Sequence, residues 1–92
     1  INTENAWDNF MVKFTELHPD FFAKLEKQFP NLTKSEKKLS SLLFMNFKSK
    51  DIANVLNISE SSVSKSRQRL RKKLNLPQAT DISQYIKFEI QK

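Results

Sequence analysis

Ninety-two residues with no cysteine and no glycine, 38% apolar and 28% charged, describe one small folded domain rather than a disordered or disulfide-built chain. The missing cysteines exclude disulfides, thiolate nucleophiles and thiolate zinc sites, and a lone histidine, His18, removes most of the remaining metal and general-base chemistry, which usually needs a second precisely placed nitrogen or carboxylate. The net charge of +6 is the property that points to a partner.

Taken in chain order, Trp7, Phe10, Met11, Phe14 and Leu17 recur at three and four residues, the stripe of an amphipathic helix over residues 4–17. His18-Pro19 breaks it. Pro19 suits the first position of a second helix whose apolar side is Phe21, Phe22, Leu25 and Phe29, and Phe29-Pro30 closes that helix. At helical spacing in an acidic segment these aromatics read as core rather than as a base-stacking platform. Thr33-x-x-Glu36 is a capping box, which predicts a third helix over 34–47 with Leu39, Leu42, Leu43 and Phe47 inside. Ser49 can cap a short fourth helix over 50–56 that buries Ile52, Ala53 and Leu56. Asn57, tolerant of left-handed geometry, ends it. Ser59 caps the next helix, about 60–74, with Val63, Leu70 and Leu74 as its inner stripe. A last helix follows Pro77, capped by Thr80 or Asp81, and carries Ile82, Tyr85, Ile86 and Ile90. The reading is all-α: four helices preceded by two N-terminal amphipathic ones, divided into 1–31 and 32–92.

The charge is unevenly spread. Residues 1–32 carry a net −2, residues 33–76 a net +8, and the remainder is neutral. Between Ser62 and Leu76 stand Lys65, Arg67, Arg69, Arg71, Lys72 and Lys73 with no acid, the electrostatic footprint of a polyphosphate partner. Two short helices separated by about three residues, with small Ala53 at the packing face of the first, describe a helix-turn-helix; Leu56, Ile58 and Val63 should fix the crossing. At about 100° per residue from Val63, Ser61, Lys65, Gln68 and Lys72 fall on the opposite side of the second helix, flanked by Ser64 and Arg69, whereas Arg67 falls near the inner side. The N-terminal part of such a helix meets base edges. Ser64, Lys65 and Gln68 are therefore the expected base contacts, lysine suiting guanine and glutamine adenine, while Ser61, Arg69, Arg71, Lys72 and Lys73 are the expected phosphate contacts.

The run Leu32-Thr33-x-x-Glu36, Lys50-Asp51-Ile52-Ala53, Leu56-Asn57-Ile58-Ser59, Val63 and Arg71-Lys72-Lys73-Leu74 resembles the DNA-binding domain of LuxR/GerE-type transcriptional regulators over residues 32 to 90. The resemblance implies a four-helix fold, base contacts at Ser64, Lys65 and Gln68, and a dimer contact on the last helix, where Ile82, Ile86 and Ile90 match. Ser66 stands where many members carry histidine, Asn75 where glycine is usual, and the final helix lacks the familiar basic start. The upstream piece, Phe14-x-x-x-His18-Pro19-x-Phe21-Phe22 through Phe29-Pro30-x-Leu32-Thr33, is similar to the juxtamembrane end of large sensor-regulators, which implies a coiled coil entering along the first helix. A receiver domain upstream, in the two-component manner, is the other arrangement.

On this reading the chain is not an enzyme and needs no cofactor or metal. Its partners are double-stranded DNA, a second copy on that DNA and RNA polymerase. No apolar run exceeds four residues, against about 20 for a membrane span, so the chain reads as a cytoplasmic piece of a longer protein. Two alternatives remain. The segment Arg67-x-Arg69-Leu70-Arg71-Lys72-Lys73-Leu74 is also similar to region four of alternative sigma factors, and the aromatic face of residues 7–29 would serve a helical adaptor that holds another protein.

Overall fold

The computed structural model describes residues 6–91 as six helices: α1 Ala6–Leu17, α2 Phe21–Gln28, α3 Lys34–Phe44, α4 Ser49–Leu56, α5 Glu60–Lys73 and α6 Ile82–Ile90. The expected start of the first helix at residue 4 lies outside the described residues. Among those described no strand occurs, and no helix is long and apolar enough to cross a membrane.

The starts of α3, α5 and α6 follow from side-chain capping. Thr33 and Glu36 form the reciprocal box: the Glu36 amide donates to Thr33 Oγ1 at 3.2 Å and the Thr33 amide to Glu36 Oε1 at 2.8 Å. Ser59 accepts from the Ser62 amide at the head of α5. Asp81, of the two expected caps, accepts from the Gln84 amide at the head of α6. Two starts differ from the sequence reading. Pro19 lies in the turn before α2 instead of at its first position, and Ser49 is the first residue of α4 instead of its cap, leaving Lys48 at the cap position with no side-chain oxygen to offer.

Helices α3, α4 and α5 end by one shared device. Asn46, Asn57 and Asn75 are all left-handed, with φ of 64°, 56° and 57°. After each of them the chain doubles back: the amides of Phe47, Ile58 and Leu76 donate to the carbonyls of Leu42, Ala53 and Arg71, five residues upstream. The amides of the asparagines themselves donate to Leu43, Asn54 and Lys72. This pairing satisfies the last carbonyls of a helix and requires positive φ at the turn residue. In a chain without glycine, asparagine is the residue that takes that conformation at least cost. The same turn ends α3 at Phe44, three residues short of the sequence reading.

Helix α3 lies at the centre, packed against α2, α5 and α6. Its Leu39, Leu42 and Leu43 are fully buried, each contributing roughly 1.5–3 kcal/mol. Two serines accompany them at no exposure. Ser40 Oγ donates to the Glu36 carbonyl and Ser41 Oγ to the Lys38 carbonyl, so small polar residues let neighbouring helices approach without leaving an unpaired hydroxyl. Helix α4 packs on α5 through Ile52 and Ala53, and α1 packs on the other side of α4.

The N-terminal aromatics face inward. Phe14 meets Phe21 edge-on at 5.1 Å and Phe44 at 6.2 Å, while Phe10 meets Phe47 edge-on at 5.4 Å. Trp7 lies under Lys38 Nζ at 5.1 Å. Phe14, Phe21 and Leu25 therefore share one continuous core with Leu39, Ile52, Val63 and Ile86.

The isoleucine stripe of α6 requires a correction. Ile82 and Ile86 are 0% exposed and Ile90 6%, on a helix packed chiefly against α3. The three isoleucines have no surface left for a twin. The outward side of α6 carries Gln84 and Phe88 instead. The α1 stripe is spent in the same core only in part: Phe14 is buried, Trp7, Phe10 and Met11 pack against the core, and Leu17 stays 65% exposed.

Candidate nucleic-acid interface

The two helices α4 and α5, joined by Asn57, Ile58 and Ser59, form the helix-turn-helix. Ala53 is buried where they approach, and Val63 and Leu70 hold α5 against the core. Ile58, expected to help fix the crossing, is 39% exposed. Its backbone rather than its side chain does that work, by donating to the Ala53 carbonyl at 3.0 Å.

With Val63 and Leu70 fixed inside, helical geometry turns the rest of α5 outward. Ser61, Ser64, Lys65, Gln68, Arg69 and Lys72 are all exposed, and no acid occurs between Ser61 and Lys73. The expected base-reading residues Ser64, Lys65 and Gln68 thus share one open side with Ser61, Arg69 and Lys72. At the head of the helix the Ser59 hydroxyl, 3.0 Å from those of both Ser61 and Ser62, orders the first turn.

Two of the residues expected to touch phosphate are turned elsewhere. Arg71 Nη1 donates to the carbonyls of Pro77, at 2.9 Å, and Thr80, which ties the connection between α5 and α6 to the recognition helix. Its Nε is buried without an acceptor. Lys73 Nζ donates to the Asn31 carbonyl at 3.0 Å and to Glu36 Oε1 at 2.8 Å. A cation whose protons are already directed at internal oxygens is a fastener. From the sequence alone, an unbroken basic run gives no sign of which members bend back.

Glu36 is the acceptor in that fastening and is largely buried. Burial by itself would raise its carboxyl. The hydrogen bond from Lys73, the backbone amide of Thr33, the Lys73 charge and the Thr33 hydroxyl together outweigh burial and hold it below the ordinary 4.5.

The recognition helix is flanked by two clefts. One, of about 630 Å³, lies toward α3 and is bordered by Ser35, Lys38, Ile58, Ser62, Ser66 and Arg69. The other, of about 470 Å³, lies toward the turn before α4, where Lys48, Ser49, Arg67 and Arg71 meet Ser64 and Gln68. Lys48, Ser49 and Arg67 were not among the expected contacts. On an ideal helical wheel Arg67 falls near the inner side, yet its long side chain is only half-buried and reaches the cleft. Among the described residues no group of three or more histidine, cysteine or carboxylate side chains could hold a metal.

A compact pair of helices on a packed support, the second presenting a basic, acid-free side, defines a helix-turn-helix DNA-binding module. Residues 30–86 match the family model described as bacterial regulatory proteins, luxR family. The chain belongs to that family, whose domain is a non-catalytic DNA-binding output element of transcriptional regulators. No curated protein and no solved structure matches the chain. The sigma-factor alternative gives way to this family assignment. The adaptor alternative loses its surface, since most of the aromatic side chains it required lie in or against the core.

Proposed function

We propose that α5 enters the major groove and reads base edges through Ser64, Lys65 and Gln68, while Ser61, Arg69 and Lys72 meet the backbone. The observation that carries this reading is the division of α5 itself: Val63 and Leu70 fully buried, and six polar or basic residues exposed on the opposite side without an acid among them. Residues 32–92 are the DNA-binding unit on this reading, and residues 1–31 are a helical extension that braces it by packing α1 on α4.

The chain acts as a homodimer on two half-sites about 34 Å apart, with the outward side of α6 in place of the buried isoleucines. Its setting is cytoplasmic, as the output end of a longer regulator that carries a sensor or receiver upstream and engages RNA polymerase. The family membership and the likeness of residues 14–33 to the junction of sensor-regulators support this setting.

Fluorescence anisotropy with a labelled duplex at several salt concentrations tests the central claim. Binding should weaken linearly on a log-log plot with a slope of about −0.9 per phosphate contacted. No binding at low salt, or a flat dependence, would overturn it.

A further inference from the structure

Helix α4 is the shorter member of the helix-turn-helix and the less firmly anchored. Its start has no side-chain cap, since Lys48 stands at the cap position and offers no acceptor. Its principal neighbours are α5 on one side and α1 on the other. The residues that match the family begin at 30, so the second of these supports comes from outside the matched domain.

An aromatic contact delivers that support. Phe10, on the second turn of α1, meets Phe47 edge-on with ring centroids 5.4 Å apart. Phe10 is itself held between Trp7, at 5.4 Å, and Phe14, at 5.1 Å, and Phe14 is fixed in the core at 2% exposure. Phe47 lies in the turn between α3 and α4, where its amide donates to the Leu42 carbonyl at 3.0 Å. A ring from α1 thus bears on the chain just where α4 lacks a cap of its own.

At its other end α4 runs into α5 through the left-handed turn at Asn57, closed by the Ile58 amide on the Ala53 carbonyl at 3.0 Å. So tight a joint passes a change in the angle of α4 on to the first turns of α5, where Ser64, Lys65 and Gln68 stand. Eight residues make α4 about 12 Å long, and a tilt of about 5° moves one end by about 1 Å against the other. A hydrogen bond to a base edge works over a range of only about 0.5 Å.

We infer that Phe10 is a positioning residue for DNA binding: through Phe47 it fixes the angle of α4, and through the turn at Asn57 the presentation of α5. This rests on the DNA-binding reading above. Displacing α1 then lowers DNA affinity with every DNA-facing side chain intact, and the contact of α1 with the turn before α4 is a point at which binding is regulated.

The test compares the 92-residue chain with its variants on two duplexes, one selected from a random pool by the unaltered chain and one of the same length with the sequence shuffled, at a temperature at which circular dichroism shows each variant folded. Phe10→Leu keeps an apolar side chain and removes the ring. It should weaken binding to the selected duplex about fivefold and to the shuffled duplex less than about twofold. Phe10→Tyr, which keeps the ring, should bind as the unaltered chain does. Phe29→Leu is the control: this ring lies beside Tyr85 of α6 at 6.3 Å, and its loss should lower the urea midpoint while leaving affinity unchanged. The amide resonances of Ser49, Ile52 and Ser64 should move in Phe10→Leu and stay in place in Phe29→Leu. Phe47→Leu combined with Phe10→Leu should bind no more weakly than the weaker of the two single variants. If Phe10→Leu and Phe29→Leu weaken binding alike, the loss is one of general stability and the inference falls. If neither weakens it, or if the losses from Phe10→Leu and Phe47→Leu add, the contact is packing alone; the inference falls and DNA binding stands. If the unaltered chain binds no duplex at low salt, both readings fall together.

Discussion

Lys73, at the last turn of the recognition helix, donates to Glu36 Oε1 at 2.8 Å, and the same oxygen accepts the Thr33 amide that starts α3. One carboxylate therefore caps the central helix and fastens the far end of the DNA-reading helix to it. The arrangement has a pH signature. Glu36 is held below 4.5 in the folded chain, so on acidification the unfolded chain takes up the proton first. The stability Glu36 contributes is complete above about 4.5 and is lost as pH falls through the lower folded value. Urea midpoints of the chain and of Glu36→Gln should differ near neutrality and converge as the pH is taken below 4.5 and the folded carboxylate gains its proton. A gap of constant size across that range would show that the carboxylate's charge is not what matters.

Asn57 gives a backbone prediction independent of charge. It is left-handed between α4 and α5, where an alanine Cβ would press on the following carbonyl. Asn57→Ala should cost about 1 kcal/mol in chemical denaturation, and Asn57→Gly should be close to neutral. Equal losses from both would place the cost in the asparagine side chain rather than in the left-handed turn.

The buried members of the α1 and α6 stripes yield a third. Ile86→Asp places a charge at a position with no exposure, and the cost should remove cooperative unfolding in a domain whose whole stability is about 5–15 kcal/mol. Phe88→Asp, at a position 65% exposed, should leave the thermal transition in place and allow the oligomeric state on DNA to be read by ultracentrifugation. Phe14→Ala should cost about 3–5 kcal/mol although it lies outside the residues that match the family. A negligible loss from Phe14→Ala would mean that α1 and α2 are dispensable to the core.

Base and backbone contacts separate in a selection from randomised duplexes. Lys65→Ala and Gln68→Ala should each relax preference at one base pair by about 1–3 kcal/mol. Arg69→Ala and Lys72→Ala should weaken all sequences alike. Indistinguishable behaviour in the two pairs would dissolve the partition of the α5 surface.

The capping box at Thr33 and Glu36, the asparagine turn at position 57 and the inner stripe of Val63, Leu70 and Leu74 were readable in the sequence, because each is a local pattern with one favourable local geometry. Helix type and order follow from such patterns. The basic run could be assigned to the recognition helix for the same reason, since the 3.6-residue period separates its inner from its outer side.

Where each long side chain ends is a different matter. Arg71 and Lys73 looked like Lys72, yet they found carbonyls of the α5 to α6 connection and the buried Glu36, acceptors that exist only once distant segments come together. Arg67 likewise reached a cleft that is made by the turn before α4 and the start of α6. The stripes of α1 and α6 were both plainly apolar in sequence, but an amphipathic helix states only that it has a side to bury, and says nothing of what will cover it. In this chain the tertiary structure spent the isoleucine stripe of α6 and most of the α1 stripe on one core, leaving Leu17 exposed, because a bundle of ninety-two residues draws on nearly all of its regular apolar surface to close.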